Sequence, residues 1–114
     1  MWVFTKYGFL SIVEHKEEDM KDHFLVRARV RTPLDELWPN HKLLKLDEAD
    51  YRYRIIIPKI EAIDVLTDVT GSIDYPNFKN ACKEDAAYHE VLTKLWYQLA
   101  RYQFLVERNG ENNS

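Results

Sequence analysis

Five of the seven arginines fall in two short alternating runs, Arg27, Arg29 and Arg31 in the first and Arg52 and Arg54 in the second. A strand turns alternate residues to opposite faces, so a period of two sorts each run into two sets. In residues 24–31, Phe24, Val26, Ala28 and Val30 face one way and Leu25 with the three arginines face the other. In residues 51–57, Tyr51, Tyr53, Ile55 and Ile57 oppose Arg52, Arg54 and Ile56. If both apolar sets press on the same helices, all five guanidiniums share the far face of one sheet. Guanidinium forks match phosphate and carboxylate oxygens, so this face suits an anionic partner, either nucleic acid or an acidic protein surface. With Leu10 and Ile12 directed inward, Tyr7 and Phe9 join the arginines. Aromatics among arginines hold single-stranded nucleic acid by stacking and phosphate contact. The plain alternative is a solvated face whose arginines pair with the nineteen acids, and a protein interface is a third.

Other chemistry has less to stand on. His15 and His23 flank an acidic stretch with Glu14, Glu17, Glu18, Asp19 and Asp22, but their spacing matches no metal motif with a mechanism. His89 lies seven residues after Cys82, two helical turns or roughly 10 Å away, too far for a nucleophile and its base. A single cysteine excludes an intrachain disulfide and a cysteine-based zinc site. Three scattered glycines make no phosphate-cradling loop. We therefore expect no cofactor, no metal and no catalytic constellation. An enzyme acting on a phosphorylated small molecule is the weakest reading, because no base or nucleophile accompanies the arginines.

The net charge of −3 excludes a basic field over the whole molecule, though not a local patch. The opening residues, broken by Lys6 and Gly8, do not read as a signal peptide, and no stretch approaches the ~20 apolar residues of a membrane span. A cytoplasmic protein without a membrane partner is expected. Its 114 residues suit one domain, placed at residues 1–107, followed by a polar, frayed tail at 108–114.

The elements that must position the arginines follow from patterning. Residues 2–13, aromatic and β-branched, read as a strand bent at Gly8, and the charged residues 14–22 as a loop. Thr32, Pro33 and the acids Asp35 and Glu36 start a short helix that Pro39 ends. Residues 41–46 form a short strand. Residues 58–69 repeat Ile60, Ile63, Val65, Leu66 and Val69 at helical steps, with Gly71 as a stop. Residues 84–107 form the longest helix. Strands and helices segregate, which predicts an α+β fold: an antiparallel sheet of about four strands with helices on one face.

The long helix carries a stripe of Tyr88, Val91, Leu92, Leu95, Leu99, Tyr102 and Val106. Tyr97 and Phe104, with Arg101 between, lie seven residues apart on a further stripe. Either the preceding helix packs there, or these three residues are a self-interface. A structural or regulatory homodimer built on this helix is thus the alternative to the anion-binding module.

The opening residues 1–13, together with Val26-Arg27-Ala28-Arg29-Val30, Asp50-Tyr51-Arg52-Tyr53-Arg54 and Asp74-Tyr75-Pro76-Asn77-Phe78-Lys79, resemble a family of small uncharacterised bacterial proteins. The resemblance covers most of the chain. It implies a compact, bacterial-type single domain and carries no activity.

Overall fold

The aromatic opening segment breaks at Lys6 and Tyr7 instead of running through them. Strand β1 (Trp2–Thr5) turns back on strand β2 (Gly8–Glu14), with Thr5 opposite Gly8. Two features fix the turn. The Thr5 hydroxyl accepts the Tyr7 and Gly8 N–H groups at 3.1 and 3.2 Å and donates to the Gly8 carbonyl at 2.9 Å. Gly8 has φ +142°, a conformation that residues with a Cβ rarely adopt.

The computed structural model describes residues 1–112. The described chain groups into two compact units, the first Met1–Asp74 and the second starting at Tyr75. In the first, β1, β2, β3 (His23–Ala28), β4 (Leu44–Lys45) and β5 (Tyr53–Pro58) form one antiparallel sheet in the order β1-β2-β3-β5-β4. The fold is α+β, with five strands where about four are expected. The extra strand comes from the turn at Lys6 and Tyr7.

Register sorts the side chains cleanly. Ile12 pairs with Val26 and Val26 with Ile55, so Leu10, Ile12, Val26, Ala28, Ile55 and Ile57 share one face and are buried. Helices α1 (Thr32–Leu37) and α2 (Lys59–Gly71) add Leu34 and Ala62 to this core, and Trp38 joins from the end of α1. Fully burying a Leu, Ile or Val contributes roughly 1.5–3 kcal/mol each, which makes this face the main source of stability. Both helices of the unit pack here, as the expected one-sided arrangement requires.

Two strands are cut short of the alternation in the sequence, one at its end and one at its start. Strand β3 stops at Ala28, and Val30, expected inside, is 58% exposed. The helix start competes for the chain. The Arg31 carbonyl accepts the Leu34 and Asp35 N–H groups at 3.1 and 3.0 Å, and Pro33 sits in the first turn. Strand β5 begins at Tyr53, so Tyr51 and Arg52 precede it, and the strand expected at 41–46 contracts to Leu44–Lys45.

In the second unit, helix α3 (Phe78–Ala81) starts at Asn77, whose Oδ1 accepts the Asn80 N–H at 3.0 Å. Helix α4 (Ala86–Asn112) starts where Asp85 Oδ1 accepts the Tyr88 N–H at 3.1 Å. Cys82 and Leu92 are buried and Tyr88 is half-buried. Helix α4 runs on through residues 108–112, where the sequence suggests a frayed tail; the rest of that expected tail, 113–114, lies outside the described residues. Among the described residues no helix is long and apolar enough to cross a membrane.

Candidate anion-binding face

Arg27 and Arg54 are direct cross-strand partners on the sheet face opposite the core. Ser11 pairs with Arg27 from the other side, and its buried Oγ accepts an Nη2–H of Arg27 at 2.8 Å. Arg54 Nη2 donates to the Tyr51 carbonyl at 2.9 Å. Tyr51 is 6% exposed, and two guanidiniums adjoin its ring. The Cζ atoms of Arg27 and Arg29 are each 4.6 Å from the ring centroid. Arg29, just past the end of β3, also donates from Nη1 to the Asp50 carbonyl at 3.2 Å.

These three guanidiniums bond neutral oxygens. Among the described residues, no carboxylate lies within 4.0 Å of Arg27, Arg29, Arg52 or Arg54. Several acids pair elsewhere. Glu14 binds Lys59 at 2.7 Å and Lys21 at 3.2 Å, and these two ammonium groups hold its carboxyl below the usual carboxylate range. Asp22 binds His23, Glu90 binds Lys94, and Asp47 binds Lys45. No direct ion pair neutralises the guanidiniums around Tyr51; the adjoining acid, Asp50, accepts the Tyr51 N–H through Oδ1 at 2.8 Å. Arg27 and Arg29, on one ring, are within about 9 Å of each other. At that separation their repulsion is of order 0.5–2 kcal/mol, between the dielectric of water and that of a protein surface. Cation–π contact with Tyr51, roughly 0.5–1 kcal/mol for each exposed contact, offsets part of it. The Nε–H groups of Arg27 and Arg54 are buried without a protein acceptor.

An aromatic row adjoins this cluster. Phe9 is 6.3 Å from Tyr51, stacks on Phe4 at 4.7 Å and meets Trp2 edge-on at 5.7 Å. The register places Trp2, Phe4, Phe9 and Ser11 on the arginine face, since Trp2 pairs with Ser11 and Phe4 with Phe9. Trp2, at the sheet edge, is largely exposed.

The expected site residues divide as follows. Arg27, Arg29, Arg54 and Phe9 come together. Arg31 does not join them: it precedes α1 and binds Asp35 through Nε at 2.7 Å, which raises its already high pKa. Arg52 is exposed and lies just before β5, where its carbonyl accepts the Leu46 N–H at 2.8 Å. Tyr7 sits in the hairpin turn, outside the paired register, with the Lys6 ammonium 5.4 Å from its ring centroid. Trp2, Phe4, Ser11 and Tyr51 are the additions that sequence reasoning missed. On α4, Tyr97, Arg101 and Phe104 are all exposed.

Other candidate chemistry stays dispersed. His15 Nδ1 accepts the Glu17 N–H at 3.1 Å, and His23 Nδ1 lies 2.7 Å from Asp22. Among the described residues no three His, Cys, Asp or Glu side chains converge as metal ligands would. Burial raises the pKa of Cys82, so the group stays a thiol at neutral pH. A shallow depression on α2, lined by Ile63, Leu66, Thr67, Thr70 and Gly71, holds no titratable side chain. The chain matches no protein-family model, and neither a curated protein nor a solved structure is detectably similar to it.

Proposed function

We propose that this protein is a non-enzymatic binding module whose arginine-bearing sheet face takes single-stranded nucleic acid. The observation that carries the reading is the group of Arg27, Arg29 and Arg54 around Tyr51, three guanidiniums with no carboxylate partner, continuous with Trp2, Phe4 and Phe9. Guanidiniums supply phosphate contacts, and exposed rings supply surfaces on which unpaired bases stack. A duplex offers no free base faces, so single strands are preferred. Binding is favoured over catalysis because the hydroxyl bonded to the cluster, Ser11 Oγ, is buried and engaged by Arg27. A cytoplasmic setting, with Cys82 kept as a thiol, belongs to the same proposal.

Fluorescence anisotropy with labelled single-stranded and duplex oligonucleotides tests it. Each neutralised phosphate on a single strand adds a slope of about −0.7 to log K against log salt, so three arginines give roughly −2. Replacing Arg29 and Arg54 together by Ala lowers the magnitude of that slope by roughly 1–1.4. Lysine at both positions restores charge without the planar fork and recovers only part of the affinity. Trp2→Ala weakens single-strand binding and leaves the salt slope unchanged. No binding to any oligonucleotide at low salt overturns the reading, and binding of an acidic protein instead would reassign the face.

A further inference from the structure

Helix α4 carries a seam that one unit fills only halfway. Tyr88, Leu92, Leu95, Leu99, Tyr102 and Val106 follow one another at steps of four, three, four, three and four, the spacing of a coiled-coil seam. With Leu92, Leu99 and Val106 at a, and Tyr88, Leu95 and Tyr102 at d, the flanking e and g positions are His89, Val91, Trp96, Gln98, Gln103 and Leu105. The acids and bases between Glu90 and Arg108 all fall at b, c or f. Two such helices can pair without opposing like charges across the seam.

The first turns of this seam already have a neighbour. Helix α3 packs on α4, Leu92 is 5% exposed, and the Lys79 ammonium reaches to 5.3 Å from the Trp96 ring centroid. Beyond Trp96 the same seam is bare, with Leu99 and Tyr102 each 66% exposed and Val106 half exposed. A helix half of this length is marginal alone in water. Side-chain pairs such as Gln103 with Glu107 at 3.1 Å add only about 0.2–0.5 kcal/mol each.

We infer that α4 is a self-association helix, pairing antiparallel with α4 of a second copy over residues 95–106. In that register Leu99 layers on Tyr102 of the partner subunit, and Leu95 on Val106 of the partner subunit, each layer occurring twice by symmetry. Antiparallel pairing leaves the α3-covered turns outside the contact and sets the two helix dipoles head to tail. The area suffices. Trp96, Leu99, Tyr102, Leu105 and Val106 are all exposed on this face. Side chains of this size offer roughly 500 Å² per copy, or about 1,000 Å² in the pair, the floor for a specific interface.

Sedimentation of the full chain at micromolar concentration is expected to show a dimer. Leu99→Glu buries an unpaired charge in the seam and weakens the dimer about 100-fold or more, while Phe104→Glu, at an f position, changes it by less than about threefold. Circular dichroism checks that α4 stays helical. If Leu99→Glu unfolds the helix, disulfide trapping decides: a mixture of Leu99→Cys and Tyr102→Cys chains cross-links faster than either chain alone. A monomeric wild type, another stoichiometry, loss of the dimer by Phe104→Glu but not Leu99→Glu, or fastest cross-linking of Leu99→Cys with itself each overturns the proposal.

Discussion

Arg27 and Arg54 face one another across the β3–β5 pair, and neither has a carboxylate within 4.0 Å among the described residues. Like charges directly opposite on antiparallel strands are destabilising, by a few tenths to about 1 kcal/mol. An oxyanion seated beside them would convert that repulsion into attraction. Phosphate at constant ionic strength should therefore raise the melting temperature. An anion at ten times its dissociation constant adds about 1.4 kcal/mol, which is roughly 5–10 °C for a domain of this size. Arg54→Met keeps the apolar stem and should lose most of this increment. Equal increments in wild type and variant, measured by calorimetry, would remove the anion site. Without phosphate, Arg54→Met should lie within about 1 kcal/mol of wild type, since relief of repulsion offsets the lost bond to the Tyr51 carbonyl.

Gly8 is held by two independent constraints. Its φ of +142° disfavours any side chain, and a Cβ there would stand 3.0 Å from the Pro33 ring. The ring belongs to α1, so the hairpin turn and the helix start are packed against each other. Gly8→Ala should destabilise by roughly 1–3 kcal/mol, summing backbone strain and overpacking. Gly71→Ala makes the useful control: open space surrounds that position, so the change should be near neutral or slightly stabilising. Denaturant midpoints of the two variants decide it, and a neutral Gly8→Ala would mean that the turn relaxes freely.

What the sequence reveals of this site is bounded by where the strands stop. Val26, Ala28, Ile55 and Ile57 are legible because a period of two admits one buried set, and slipping by one residue would bury Arg27 and Arg54 instead. Arg29, Arg31, Tyr51 and Arg52 continue the same alternation on paper, but all four lie beyond the ends of β3 and β5. Tyr51 is the clearest case: parity counts it as a core residue, but its ring centroid lies 4.6 Å from the guanidinium carbons of both Arg27 and Arg29. Arg31 carried a readable signal, a spacing of four to Asp35 at a helix start, which marks an ion pair within the helix. Trp2 and Phe4 were hidden by the turn at Lys6 and Tyr7, since only a hairpin brings them alongside Ser11 and Phe9.

The Glu14 cluster sets an acid dependence. Lys59 and Lys21 hold its carboxyl below the usual range, so the folded state releases that proton more readily than the unfolded chain does. Its contribution is present above the unfolded pKa and is lost as pH falls through the folded value. Glu14→Gln should therefore flatten the acid limb of the stability curve and leave the curve above neutrality unchanged in shape. Chemical denaturation from pH 7 down to about 3 measures this. An unaltered acid limb would show that the two ammonium groups act equally in the unfolded chain.

Alkaline pH should act on the second unit through Tyr88. Burial first, and then the nearby Cys82, Asp85 and Tyr75, push its phenol well above the ordinary tyrosine value. Burial pushes the Cys82 thiol up as well. The folded state then binds more protons than the unfolded one once pH passes the unfolded values, about 8.5 for cysteine and 10 for tyrosine. Stability from both groups is complete below those values and falls as pH rises toward the folded ones. Tyr88→Phe deletes the ionisation while keeping the ring, so it should lessen the loss of helicity between about pH 9.5 and 11.5. Ultraviolet titration supplies the second readout, because one phenol in wild type should ionise late and be missing in the variant. If the wild-type phenols all titrate together near 10, Tyr88 is reached by water and the packing of α3 on α4 around it is looser than the buried Cys82 and Leu92 imply.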